Sequence, residues 1–286
     1  LEPGASSRRL RRSQSDELPL DRLDSTTRQL VASVVDHVSL HRRLPVIRCE
    51  TDPRVVQFFL QHPDVAVGIW RAMQVSDVRL DWLGGNKYHT DGGDGSTGVI
   101  NLLWTDGRQY LVHCQGDFQS PVLTRPIQAS AIFWLRTELQ QDSQSRQFSK
   151  CTADIFIAFP SNAIEAAARI ISPVSNKIAD RNFQEVTMFI RMMHLAMTRQ
   201  PGWVEQTAGH LNGVSQERRQ ALVDTAAHVY VDAQKRLASN TEKSLTPEDL
   251  RLPIRRESEV EAASIGSDSA ATATQLTVRP VESQTR

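Results

Sequence analysis

The sequence is short of cysteine, short of aromatic residues and without an excess of either charge. Its three cysteines, Cys49, Cys114 and Cys151, are odd in number and far apart. That excludes a disulfide framework, and no two of them stand at the spacing of a zinc site. They read as three reduced thiols in a core. Lys and Arg together number 33, as do Asp and Glu, so the formal net charge is zero. The balance also holds between Pro45 and Lys235. A nucleic-acid surface normally shows a basic excess, so no nucleic-acid partner is expected. No apolar run approaches the ~18 residues of a bilayer span, so no membrane span is expected and a cytoplasmic location is.

The signatures of common chemistry are also missing. Gly93-Asp94-Gly95-Ser96-Thr97-Gly98 matches the form of a dinucleotide-binding loop. That loop must open a helix, whose N-terminus meets the pyrophosphate. Here the apolar run Val99-Ile100-Asn101-Leu102-Leu103-Trp104 follows, which reads as a strand, so the glycines read as a turn. Asp91 and Asp94 lack the spacing and terminal Glu of a calcium loop. The eight histidines form no metal-binding pair, and no G-x-S-x-G elbow occurs. No metal and no cofactor are expected.

What is present is a clear order of periodicities. Residues 1–25, with Arg8, Arg9, Arg11 and Arg12 and few large apolar residues, read as a disordered tail. Residues 239–286, rich in Ser, Thr, Glu and Ala, read as a second one. Residues 26–238 read as one α+β domain. Leu44 to Cys49 is a strand candidate. Asp52-Pro53 starts a helix, with Asp as N-cap and Pro at the first position. His62-Pro63 starts another. From Asp77 the period changes to two, and short turns at Gly84-Gly85-Asn86, Gly92 to Gly95 and Asp106-Gly107 join strands into an antiparallel meander. The meander ends with strands at Ile127 to Leu139 and Cys151 to Phe159. After Pro160, Ile164, Ala167, Ala168 and Ile171 return to helical spacing, and a long helix runs from about Asn176 to Arg199. Shorter helical stretches follow over 203–211 and 216–237, with Ser215 as N-cap.

This order of strand, two helices, antiparallel meander and long helix resembles the helix-grip fold of the START-related superfamily, over about Leu44 to Arg199. The resemblance implies a curved sheet wrapped on the long helix, with an apolar cavity between them. In that superfamily most members bind lipids, sterols or polyketides and a minority are enzymes. The helices over 203–237 are an addition to the family pattern.

Three functional expectations follow. The first is a non-enzymatic module that holds an apolar small molecule, lipid-like or aromatic, lined by Trp134, Phe156, Phe189 and Met193, with His113 in an adjoining strand. The methionines Met188, Met192, Met193 and Met197 suit variable apolar partners, and Asp180 or Arg181 is expected to pair with the sheet or mark the cavity mouth. The second is an enzyme of the cyclase or hydrolase kind in the same cavity, using His113 with Asp154 or Arg136; it requires those side chains to converge within hydrogen-bond reach. The third is a protein-binding role for the helices over 203–237.

Overall fold

The computed structural model describes residues 2–119, 126–143, 146–160 and 173–241. The chain enters as an extended segment that bridges through Glu2 and Ala5 to Val46 and Arg43. Helices α1 (Arg8–Asp16) and α2 (Ser25–Val35) follow, then β1 (Leu40–Arg43) and β2 (Ile47–Glu50). Two short helices, α3 (Pro53–Gln61) and α4 (Pro63–Ala72), precede a six-strand meander: β3 (Arg79–Gly84), β4 (Lys87–Asp91), β5 (Ser96–Thr105), β6 (Gln109–Phe118), β7 (Ile127–Gln141) and β8 (Gln147–Ala158). Helices α5 (Pro173–Arg199), α6 (Pro201–Gly209) and α7 (Gln216–Thr241) complete the described chain.

The eight strands form one curved, unclosed antiparallel sheet in the order β1-β8-β7-β6-β5-β4-β3, with β2 also on β8. Strands β1 and β2 occupy successive stretches of β8, at Asp154–Ile157 and Phe148–Cys151. The break between them contains Pro45, which has no N–H to give to a ladder. The predicted strand over Leu44 to Cys49 is therefore only the second part of this pair. The first, Leu-His-Arg-Arg, is too polar to stand out as a strand in the sequence.

Local chemistry explains the helix starts. Asp52 accepts the Arg54 N–H at 3.0 Å, with Pro53 at the first helical position. Ser215 accepts the Arg218 N–H at the start of α7. The Asp106-Gly107 turn joins β5 to β6 as expected, with Gly107 at φ +85° and Asp106 accepting the Arg108 and Gln109 N–H groups.

Both faces of the sheet are apolar, and each has its own cover. Strand alternation puts Leu111, Ile132, Trp134 and Phe156 on one face, where Leu18, Leu23, Val31 and Val34 pack on them. The opposite face carries Tyr110, Leu135, Cys151 and Ala153, with Leu60 of α3 and Ala179 and Phe183 of α5 laid against it. A third cluster lies wholly among helices, where Val55, Phe59, Ile69, Phe189, Met193, Met197, Leu222 and Val229 meet. Helix α5 thus divides its work: its first half packs on the sheet and its second half enters the helical core. Arg218 of α7 ties that core to the sheet edge, donating to Asp64 of α4 and to the Tyr88 hydroxyl at 3.3 Å while stacking on Trp82.

Two expectations need correction or restriction. Residues 1–25 are not a solvated tail. Their apolar residues are few, but Leu18 and Leu23 are buried against the sheet, and Arg28 fastens the turn around them by donating to the Leu20 and Leu23 carbonyls. A count of apolar residues misses this, because two well-placed leucines and a cap at Asp24 suffice to dock the segment. The helical spacing of Ile164 to Ile171, and the tail expected over 239–286 beyond Thr241, lie outside the described residues.

Deleting residues 1–24 is expected to lower the melting temperature by several degrees or more and to shift the tryptophan emission to the red as Trp134 meets water. Thermal unfolding followed by fluorescence measures both; an unchanged melt would return this segment to the status of a tail.

Candidate functional site

The five residues expected to line one pocket do not come together. Trp134 and Phe156 lie on the face covered by the N-terminal segment, 3% and 0% exposed. The Trp134 indole N–H donates to Gln109 at 3.2 Å, and the Arg136 guanidinium lies 3.8 Å from the ring centre. Phe189 and Met193 are on the other side of the sheet, inside the helical core, where Phe189 meets Phe59 and Trp70 edge-on. His113 shares the face of Trp134, and its Nε2 is 2.8 Å from the Ser130 hydroxyl.

Asp154 and Arg136 do meet, but around a different histidine. Asp154 has no exposed surface. Its Oδ1 is 3.1 Å from His41 Nε2 and accepts Arg43 Nε at 3.2 Å. Its Oδ2 accepts Arg43 Nη2 at 3.0 Å and Arg136 Nη2. Burial alone would raise the carboxyl pKa; the hydrogen bonds from His41 and Arg43 and the two guanidinium charges outweigh it and hold the group below the ordinary range. Arg136 also donates to Gln14 of α1 at 2.9 Å. A carboxylate whose oxygens are already occupied has no free lone pair to offer as a base, so this cluster is a fastening among β1, β7, β8 and α1. The geometry required for a His113-based enzyme is not met.

The concavities divide by face. On the N-terminal side, beyond α2, a groove of about 720 Å³ is lined by polar and apolar groups together, including His37, His89, Gln115, Val99, Ala158 and Phe159. On the helical side a cavity of about 110 Å³ lies between α3 and the sheet, walled by Leu60, Tyr88, Leu102, Phe133 and Leu135. Farther along the same strands a cavity of about 270 Å³ is lined by Cys114, Phe118, Ile127, Ala129, Ala131 and Ile157. Register explains the continuity: Ile100, Cys114, Ala131 and Ile157 are successive cross-strand partners, beside the row Leu102, Val112, Phe133 and Ile155. Burial pushes the Cys114 thiol up to about 11, as expected of a group walled by apolar side chains.

The residues missed by sequence reasoning, Cys114, Ala131, Phe133 and Ile157, are the alternates of those chosen. Alternation separates Phe133 from Trp134 and Ile157 from Phe156 correctly, but it does not say which face meets the helix. Arg42 of β1 pairs with Asp180 of α5 on this helical side, with Nε to Oδ1 at 2.7 Å, which agrees with the expectation that Asp180 pairs with the sheet. Gly4 closes over the pair; a Cβ there would lie 2.6 Å from Asp180 Oδ1. Most of the apolar stripe over 203–237 is used internally, since Val204, Ala208, Leu211, Leu222, Ala226 and Val229 are buried in the helical core, while Trp203 and Leu237 are exposed. Among the described residues no three His, Cys, Asp or Glu side chains gather as a metal site, and no helix is long and apolar enough to cross a membrane.

No family model matches the chain, and no curated protein matches it. Among solved structures it is similar to a conserved protein from Geobacillus kaustophilus, with 13% identity and a TM-score of 0.38, over 52% of this chain and 94% of that one.

Two outcomes follow from the buried charges. Asp154→Asn leaves two guanidinium groups in the sheet interior without their counter-ion and is expected to cost about 3 kcal/mol, read by urea denaturation. His62, His113 and His194 all have pKa values lowered by burial from the ordinary 6.5. The unfolded chain therefore takes up these protons at a higher pH than the folded one. Stability is expected to be full above about pH 7 and to decline as the pH falls through 6.5 toward the lowered values; a flat profile across that interval would contradict the assignment.

Proposed function

We propose that this chain is a non-enzymatic binding module for an apolar small molecule, lipid-like or aromatic, seated on the helical face of the sheet. The observation that carries the proposal is the row of half-buried apolar residues Ile100, Cys114, Ala131 and Ile157, of which Cys114, Ala131 and Ile157 line a cavity of about 270 Å³. Apolar surface left open in this way marks a binding face more often than an accident of packing. The volume is just below the usual range of ligand pockets, ~300 to 1,000 Å³, which favours a small or short-chain occupant. Removing ~200 Å² of apolar surface from water contributes about 5 kcal/mol before the cost of immobilising the ligand.

The element order supports a helix-grip reading of the same site. The first strands lie beside the last, the helix pair α3–α4 is inserted after them, and the long helix α5 comes after β8. In that reading β5 to β8 form the floor, and Ala179 and Phe183 of α5 and Leu60 of α3 cover the neighbouring part of the same face. The N-terminal segment on the far face and the helices α6 and α7 are additions that brace the sheet and its helical cover without entering the pocket.

Native mass spectrometry of protein purified from cells, followed by organic extraction, tests this directly. A stoichiometric apolar compound is expected, and Ala131→Trp, which fills the floor of the cavity, is expected to lose it while melting within a few degrees of the parent. An empty protein that also shows no thermal shift against a panel of fatty acids, sterols and aromatic compounds would sink the proposal.

A further inference from the structure

The two edges of the sheet are treated differently. Beyond β1 the edge is closed: Ala5 exchanges two backbone hydrogen bonds of 2.9 Å with Arg43, and Val46 donates to Glu2 at 3.0 Å. At the other end, among the described residues, β3 pairs with β4 alone. An edge strand presents a row of unpaired N–H and C=O groups, and proteins usually blunt it with proline, lysine or a bulge. Strand β3, Arg-Leu-Asp-Trp-Leu-Gly, has no proline and no lysine, and its register shift falls only at its end, between Trp82 and Gly84. Exposed apolar side chains gather around it among the charged ones. Met73, Val75, Trp82 and Leu83 are 40%, 65%, 44% and 58% exposed, and all come from one stretch of chain at the end of α4 and along β3.

We infer that β3 is a self-complementary interface at which a second copy of this chain adds its own β3, continuing the sheet across a two-fold axis. The charges on the strand select the partner and the register. A two-fold axis perpendicular to the sheet makes the two edges antiparallel, and each contact then occurs twice with its roles exchanged. Centring the axis on Leu80 sets Arg79 of each copy opposite Asp81 of the other, and Val78 opposite Trp82. Both charged side chains are exposed and alternate onto the same face of the sheet, so the two opposite-charge pairs stack side by side. Centring on Arg79 or on Asp81 instead brings like charges face to face. Leu80 and Trp82 project to the other face, the side of Tyr88, their cross-strand neighbour. There the apolar contacts of the two copies supplement the backbone ladder, which by itself is the means by which extended segments add to open sheets.

Sedimentation of the full chain across a micromolar to millimolar dilution series tests the interface. The expected mass at the upper end is twice the 32.1 kDa of one chain. Asp81→Arg puts like charges opposite each other in both pairs and is expected to raise the dimer dissociation constant by about tenfold or more. The exchange Arg79→Asp with Asp81→Arg restores opposite charges in the same register and is expected to restore the dimer. Circular dichroism and thermal melts of each variant separate loss of association from loss of fold. A wild-type chain that stays monomeric throughout, a dimer indifferent to Asp81→Arg, or a folded double exchange that does not reassociate would each overturn the inference.

Discussion

A carboxylate sealed from water must be surrounded by partners or give up its charge, and Asp154 is surrounded. Two guanidinium groups and an imidazole converge on it from β1 and β7, and one of those guanidinium groups continues to α1. Desolvating such a group is expensive, so the arrangement holds only if every partner is in register. That requirement links the first strand, the two longest strands and the N-terminal helix in one geometry. The rest of the sheet is built outward from it, with Trp134 beneath the Arg136 guanidinium and Phe156 against His41.

The second constraint is that a sheet apolar on both faces must be covered twice. The N-terminal segment covers one face and helices α3 and α5 the other. This frees the helical side to leave part of its apolar floor only half-buried, because the stability of the sheet does not rest on that face alone. The long helix can then spend its second half on α3, α4, α6 and α7 rather than on the strands. The proposed binding face lies where these two layers diverge.

Much of the architecture was legible in the residues. The change of period at Asp77, the glycine and Asp-Gly turns, the Asp52-Pro53 start and the long amphipathic stretch to Arg199 are all local signals, and each corresponds to an element. Strand β1 escaped because its two arginines and histidine read as polar, although His41 and Arg43 face inward to meet Asp154. The N-terminal segment escaped because its leucines are sparse, and sparsity says nothing about how well each one docks.

The candidate site shows where local signals stop. Alternation along β7 and β8 separated Trp134 from Phe133 and Phe156 from Ile157, since a period of two is written into the chain itself. Which of the two rows meets the helix is not a property of either strand. It depends on segments outside both strands: Leu18 and Val31 on one side, Leu60 and Phe183 on the other. The sequence by itself therefore determined most of the elements from Leu44 onward, their order and the parity of β7 and β8, because these follow from nearest-neighbour sterics and polarity. Only the tertiary structure decided which face meets the long helix and which histidine meets Asp154, because both depend on how distant segments compete to bury the same sheet.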